Sequence, residues 1–130
     1  MIFGTGIDMI ETERVESKIS KESGFREMVF SQNEIDFCET KANKFERYAA
    51  RFAAKEAFLK ALGTGWKNGT AFNEIEIIKE DTGKPEIVLL GETAKTIAAM
   101  SIGRIFVSLS HLKSIAAAVV IIETSSQPPL

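Results

Sequence analysis

The stretch KFERYAARFAAKEAFLKAL, residues 44–62, predicts one long helix around which the rest of the chain is organised. At about 100° per residue, its large apolar side chains fall within one arc. Gly63 follows directly, as expected for a residue that ends a helix in the left-handed conformation. The residues of the arc are Phe45, Tyr48, Phe52, Leu59 and Leu62.

Before this helix, the pattern predicts one strand and several short helices. Residues 2–7 are apolar and interrupted by Gly4 and Gly6, which suits a strand whose backbone another element approaches closely. Asp8 is expected at the end of that strand. Residues 11–19 and 25–29 show short helical patterns, and Ser31 to Glu34 has the spacing of a capping box that opens a third helix.

After the long helix, the period changes to that of strands. Strands are predicted at 74–78 and 87–90 around a turn at 81–85, followed by a helix at 92–102 and an antiparallel pair at 105–109 and 115–122. This order predicts an α+β fold with a small antiparallel sheet packed on one long and several short helices. We expect one domain over residues 1–123 and a flexible tail over 124–130.

Composition excludes several classes of protein. The chain has 130 residues, of which 45% are hydrophobic, and a formal net charge of −2, so no overall charge attracts it to nucleic acid or to a membrane surface. Cys38 is the only cysteine, which excludes an intrachain disulfide and favours a reducing compartment, the cytoplasm. No segment approaches the roughly 20 apolar residues of a membrane span.

Two acids stand out, and each has an ordinary structural interpretation. Asp8 has capping-box spacing to Glu11, and Glu56 precedes Lys60 by one turn, as in a surface ion pair. Together, however, they could supply oxygen ligands to Mg²⁺, which takes one or two protein carboxylates and leaves its other positions to water and phosphate. Candidates to neutralise that phosphate on the same helix are Lys60, Arg51 and Lys55.

The motifs, taken in order, resemble the bacterial holo-acyl-carrier-protein synthases over nearly the whole chain. They are Gly6-Ile-Asp8 with Glu11 and Arg14, RFAAKEAF at 51–58 continued by KALGTG at 60–65, Gly83-Lys-Pro85, and VSLSH at 107–111. The family is a group of trimeric 4′-phosphopantetheinyl transferases with coenzyme A bound between adjacent subunits. The resemblance therefore implies Mg²⁺-dependent transfer of 4′-phosphopantetheine from coenzyme A to a serine of an apo-acyl carrier protein in fatty acid biosynthesis, with release of adenosine 3′,5′-bisphosphate.

The resemblance also implies roles for individual residues. Asp8 and Glu56 match the metal ligands, Lys60 matches the phosphate-contacting lysine, and His111 is expected to bind phosphate or assist proton transfer. Further residues fall in the regions that bind coenzyme A or the carrier protein. Those expected to bind coenzyme A are Arg51, Gly63, Lys84 and Pro85, and those expected to dock the carrier are Arg14, Lys18, Lys21 and Arg26.

Two other classes of function share some of these features. A coenzyme A-binding regulatory module without catalysis would use the same phosphate site, so only an assay of activity separates it from a transferase. An RNA-binding α+β domain is disfavoured because the chain is slightly acidic and lacks an aromatic platform on a strand. The proton acceptor is expected to be Glu56, His111 or a metal-bound water.

Overall fold

The structure is a computed structural model that describes residues 1–64, 69–79 and 83–125. Five helices, five strands and a short 3₁₀ turn at Phe72–Glu74 make up this part of the chain. The strands are β1 (Ile2–Glu11), β2 (Ile75–Lys79), β3 (Pro85–Leu89), β4 (Ile102–His111) and β5 (Ile115–Thr124). The helices are α1 (Thr12–Ser20), α2 (Phe25–Val29), α3 (Gln32–Glu39), α4 (Lys44–Leu62) and α5 (Gly91–Ala98).

The strands form two antiparallel sheets. β5 is the centre of a three-stranded sheet in the order β1-β5-β4, and β2 pairs with β3 as a separate hairpin. Along β5, Ala116, Ala118, Val120 and Ile122 are buried, whereas Ile115 and Val119 stay partly exposed on the other face. The chain therefore covers one face of its main sheet and leaves apolar side chains on the other.

Helix α4 packs across the covered face of that sheet, against β1 and β5. Two glycines of β1 permit this contact, because a Cβ atom on Gly4 would overlap the carbonyl oxygen of Ala61 and one on Gly6 that of Ala57. Two hydrophobic clusters, one at each end of α4, fill the remaining space. The predicted close approach to the first strand is thus confirmed, and α4 is the partner.

A buried ion pair joins α4 to the rest of the molecule. Lys55 and Glu34 are both fully buried, and Lys55 Nζ lies 2.7 Å from Glu34 Oε1. The same ammonium donates to the carbonyls of Phe72 and Ile75, and Glu34 accepts from the backbone N–H of Ile77 at 3.0 Å. Lys55 is therefore fully engaged inside the protein, and the expectation that it neutralises substrate phosphate is wrong.

Most predicted elements are confirmed, including the α+β class, the exact bounds of α4 and the capping box of α3, whose Ser31 side chain accepts from Glu34 N.

The first strand is the main correction, since it continues to Glu11 and places Asp8 within the strand opposite Ala118. Asp8 therefore caps no helix. α5 ends at Ala98, short of the predicted 102, and β5 runs on to Thr124. Parts of the predicted 81–85 turn and of the tail lie outside the described residues.

Candidate active site

The carboxylate of Asp8 and the ammonium of Lys60 form the first pair of the site. Asp8 Oδ1 accepts a hydrogen bond from Lys60 Nζ at 2.9 Å, and the same Nζ donates to the carbonyl of Ile7 at 3.0 Å. The side chain of Lys60 is 55% exposed, while that of Asp8 is 18% exposed. Lys60 is thus a solvent-accessible cation held beside a sheltered carboxylate, rather than a partner of Glu56 in an ion pair on the helix surface.

Glu56 lies one helical turn before Lys60 and is electrostatically coupled to Asp8. Its half-buried position, followed by the negative charge of Asp8, raises the pKa of the Glu56 carboxyl above its ordinary value, while Lys60 and Lys18 act in the opposite direction. Burial contributes most to this shift, and the contribution of Asp8 indicates that the two carboxylates lie near each other where β1 meets α4. Two carboxylates brought together in this way favour a cation between them.

The chemistry of this donor set fits Mg²⁺. Among the described residues, no cluster of three or more His, Cys, Asp or Glu side chains could hold a metal by itself. Mg²⁺ does not require one, because it is commonly bound through one or two carboxylates together with water and substrate phosphates. Asp8 and Glu56 supply two carboxylates for such an ion, and Lys60 supplies a cation beside them for a phosphate oxygen.

A second candidate subsite is a cavity of about 180 Å³ beside α4 and the ends of β2 and β4. Its lining includes three of the residues singled out in the sequence, Arg51, His111 and Pro85. Arg51 is only 3% exposed, and its Nε is buried with no hydrogen-bond partner among the described residues. A buried cation with an unused donor at the wall of a cavity is suited to an anionic ligand.

Cations are concentrated around this cavity. Four of them lie over the ring of Phe37, with Arg51 Cζ at 4.6 Å from the centroid and Lys79 Nζ at 5.7 Å. Burial lowers the pKa of Lys79, and the neighbouring charges of Arg47, Arg51 and Lys41 lower it further. Such mutual repulsion is relieved when an anion binds, so the cluster is suited to phosphate.

Sequence reasoning missed Arg47, Lys41, Lys79 and Phe37 as members of this cluster. Arg47 could have been found, because it lies one turn before Arg51 and therefore on the same side of α4. Lys79 ends a strand of the second sheet, and only the fold brings it to α4. Lys84 does not line this cavity, although Gly83 and Pro85 on either side of it do; it lines a groove between β3 and β4. Gly63 ends α4 one turn beyond Lys60 and two turns beyond Glu56.

The two subsites occupy different sides of α4. At about 100° per residue, Arg51 and Lys60 are separated by about 180° around the helix axis, and Arg51 and Glu56 by about 140°. The acid pair with Lys60 and the cationic cavity therefore do not face each other within one chain. A ligand that uses both subsites must therefore reach two different sides of α4.

Of the four residues predicted to dock a carrier, Arg14 and Lys18 lie on α1, Lys21 directly follows it and Arg26 lies on α2. Arg26 is paired with Glu27 at 2.8 Å and with Glu39 at 3.3 Å, which offsets its charge. Lys18 lies over the ring of Phe25 at 5.4 Å and is close enough to Glu56 to lower that carboxyl's pKa. Arg14 lines a small cavity with Met9 and Ile115. Lys18 thus brings the basic side of α1 near Glu56.

Comparison with known proteins identifies the class to which this fold and site belong. Residues 4–120 match the model of the 4′-phosphopantetheinyl transferase superfamily, so the chain belongs to that superfamily. It is 42% identical over 124 residues to a holo-[acyl-carrier-protein] synthase of Solibacter usitatus, covering 95% of this chain and 99% of the relative. The chain is therefore a member of the holo-[acyl-carrier-protein] synthase family of enzymes, as the sequence motifs predict.

Solved structures agree with this assignment. The holo-[acyl-carrier-protein] synthase of Neisseria meningitidis superposes with a TM-score of 0.88 at 30% identity, over 95% of this chain and all of that one. A synthase from Bacillus anthracis, solved in complex with CoA (3′,5′-ADP), superposes with a TM-score of 0.79 at 35% identity, over 96% of this chain and 99% of the other. At least one structural neighbour thus binds the coenzyme expected from the sequence motifs. No helix in the described part of this chain is long and apolar enough to cross a membrane.

Proposed function

We propose that this protein transfers the 4′-phosphopantetheine group of coenzyme A to a serine hydroxyl of an apo-acyl carrier protein, with Mg²⁺ as cofactor. The observation that carries the proposal is that Asp8, Glu56 and Lys60 lie near one another at the contact between β1 and α4. Two glycines of β1 allow that strand to pack directly on α4. The released product is adenosine 3′,5′-bisphosphate. The compartment is the cytoplasm, and the carrier is that of fatty acid biosynthesis.

In this proposal Asp8 and Glu56 hold the metal ion. The ion, when bound, withdraws negative charge from the pyrophosphate and stabilises the leaving bisphosphate. Lys60 contributes a second cation at the same place, because its exposed ammonium can bind a phosphate oxygen while it remains beside Asp8. The serine proton passes to Glu56, to His111 or to a water at this subsite, the acceptors expected from the sequence.

The reaction makes one bond and breaks one. The serine oxygen bonds to the phosphorus that carries pantetheine, the bridging pyrophosphate oxygen leaves with the nucleotide, and the hydroxyl proton passes to the acceptor. The pyrophosphate must therefore lie at Asp8, Glu56 and Lys60. The phosphate that remains for the cationic cavity is the 3′-phosphate of the nucleotide, whose two negative charges match the cluster around Arg51 and Lys79.

The placement of the two subsites supports a homotrimer with coenzyme A between neighbouring chains. Each chain offers the acid pair on one side of α4 and the cationic cavity on another, so one coenzyme would use the acids of one chain and the cavity of the next. The apolar face of the main sheet offers a surface for assembly, since Ile7 and Met9 are each 64% exposed. Light scattering coupled to gel filtration should give the mass of three chains, and a fully active monomer would contradict the shared site.

Carrier docking is assigned to the basic residues of α1 and its C-terminal end, Arg14, Lys18 and Lys21, of which Lys18 lies near Glu56. Carrier proteins are expected to be acidic, so a local basic patch would guide their approach even though the chain is slightly acidic overall. Arg26 is a weaker candidate because two carboxylates already surround it.

The test of the proposed function is a mass assay. The protein is incubated with coenzyme A, Mg²⁺ and a purified apo-acyl carrier protein, and the carrier should gain the mass of the phosphopantetheine arm. Asp8→Ala should abolish that gain while the protein stays folded. If wild-type protein binds coenzyme A but modifies no carrier, the chain is a regulatory coenzyme A-binding module instead.

A further inference from the structure

We propose that Glu46 is a positioning residue that holds His111 so that its second ring nitrogen faces the 3′-phosphate of coenzyme A in the cationic cavity. This inference rests on the proposed function and assigns a role to a residue that the sequence motifs do not include. Glu46 belongs to the first turn of α4, and His111 is the last residue of β4, 65 positions later.

The contact itself determines which nitrogen is free. Nδ1 of His111 lies 3.1 Å from Oε1 of Glu46. A carboxylate only accepts hydrogen bonds, so Nδ1 must carry the proton that it donates. Nε2 is then the nitrogen available to a ligand, and His111 is one of the residues that line the cavity. In the protonated ring, Nε2–H donates to phosphate.

The surroundings explain why such a tether would be needed. Both side chains are partly exposed, at 30% for His111 and 21% for Glu46, so packing alone does not fix the imidazole ring. Arg47 and Arg51 line the same cavity and would repel a protonated ring. Glu46 holds the ring against that repulsion with one hydrogen bond, which orients a short-range donor among longer and more flexible cations.

A different role for Glu46 predicts the opposite result. If the carboxylate acted only through its charge, it would weaken the attraction of the cavity for phosphate, and removing the charge would tighten coenzyme A binding. If it acted only on the N-terminus of α4, its loss would lower stability without a preference between coenzymes. The two alternatives can therefore be separated from positioning by Glu46→Gln, which keeps an acceptor oxygen but not the charge, and by Glu46→Ala, which keeps neither.

The experiment compares steady-state kinetics with coenzyme A and with dephospho-coenzyme A, which lacks the 3′-phosphate. Glu46→Ala should raise KM for coenzyme A about fivefold, the effect of losing one ordinary hydrogen bond, with kcat unchanged. Glu46→Gln should stay within about twofold of wild type, and neither variant should change KM for dephospho-coenzyme A. Glu92→Gln is the matched control, because Glu92 is also in the first turn of a helix and is exposed.

A spectroscopic measurement tests the same contact without turnover. His111 is the only histidine of the chain, so ring-¹⁵N-histidine labelling of protein without a polyhistidine tag gives two ring resonances. In the neutral ring, the Nδ1–H tautomer should dominate in wild type and should lose that dominance in Glu46→Ala. Three results would each overturn the inference. They are a dominant Nε2–H tautomer in wild type, equal effects of Glu46→Ala on KM for both coenzymes, and tighter binding of coenzyme A by Glu46→Gln.

Failure of this inference is distinct from failure of the proposed function. If wild-type protein transfers the arm but Glu46→Ala has an unchanged KM for coenzyme A, only the role of Glu46 is wrong. If wild-type protein modifies no carrier at all, the proposed function is wrong, and the tautomer measurement then reports only the local contact between Glu46 and His111.

Discussion

Gly6→Ala should separate β1 from α4 and thereby displace Asp8 from Glu56 and Lys60. The added Cβ would overlap the carbonyl oxygen of Ala57 and lie 2.8 Å from Ala61 N, both of which are backbone atoms of α4. Ordinary contacts begin near 3.4 Å, and no change of rotamer can move a helix backbone. The strand and helix must therefore move apart by about 1 Å, which is the scale of misplacement that costs about 100-fold in rate.

The same change should also lower stability, by about 1–3 kcal/mol for overpacking. Unfolding entropy near 2.1 cal/mol/K per residue converts each kcal/mol into about 4 °C for a chain of this length, so Tm should fall by about 4–12 °C. The assay measures kcat/KM for carrier modification at a temperature where circular dichroism shows the variant to be folded. We expect a loss of about 100-fold there.

The control for Gly6→Ala is Ile97→Ala, a buried truncation on α5 that costs about 2–5 kcal/mol. Because α5 carries none of the proposed site, this variant should lose stability and retain its activity while folded. If folded Gly6→Ala has the kcat/KM of wild type, the close contact between β1 and α4 does not position the acids, and the reasoning fails.

Three further predictions concern single side chains. Glu56→Gln should abolish transfer, and because the raised pKa of the Glu56 carboxyl means that this group lowers folding stability as pH rises through that pKa, the change should not destabilise the metal-free protein. In the presence of a chelator, the Tm of the variant should equal or exceed that of wild type at pH 7, and the difference should vanish near pH 4. A clearly lower Tm of the variant at pH 7 would contradict this. Lys55→Met should lower unfolding free energy by about 3–5 kcal/mol in denaturant titrations, because it leaves Glu34 buried and unpaired, and Lys55→Met with Glu34→Gln should recover part of the loss. Arg14→Glu should raise KM for the carrier far more than KM for coenzyme A, and added salt should weaken carrier use by wild type; equal effects on both substrates would remove α1 as the docking surface.

How far the sequence predicts this molecule can be argued from α4. Its bounds were predictable because an arc of apolar residues and a terminal glycine are local signals, read within 20 residues of chain. The contact of Gly4 and Gly6 with another element was also predictable, but the identity of that element was not. Asp8 was misplaced at a strand end because the length of β1 is fixed by pairing with β5, more than 100 residues away.

The roles of charged residues were harder to predict for the same reason. Arg51, Lys55 and Lys60 carry similar charges at four- and five-residue spacing, and nothing local distinguishes a core ion pair from a phosphate ligand. Glu34 and the carbonyls of Phe72 and Ile75 make the difference for Lys55, and these belong to distant segments. The cationic cavity likewise needs Lys79 and His111, which only the tertiary fold brings to Arg51.

The arrangement of α4 explains why three neighbouring charged residues can serve three purposes without interfering. Arg51 faces the cationic cavity, Lys55 is locked in the core, and Glu56 faces Asp8. A rotation of the helix that improved one contact would break the others. The buried Lys55 opposes such a rotation most strongly, because moving its ammonium away from Glu34 would leave two unpaired charges inside the protein. The core ion pair therefore fixes the angle at which α4 presents the acids to one side and the cavity to another. That fixed angle is the geometry that the proposed coenzyme A site, shared between two chains, requires.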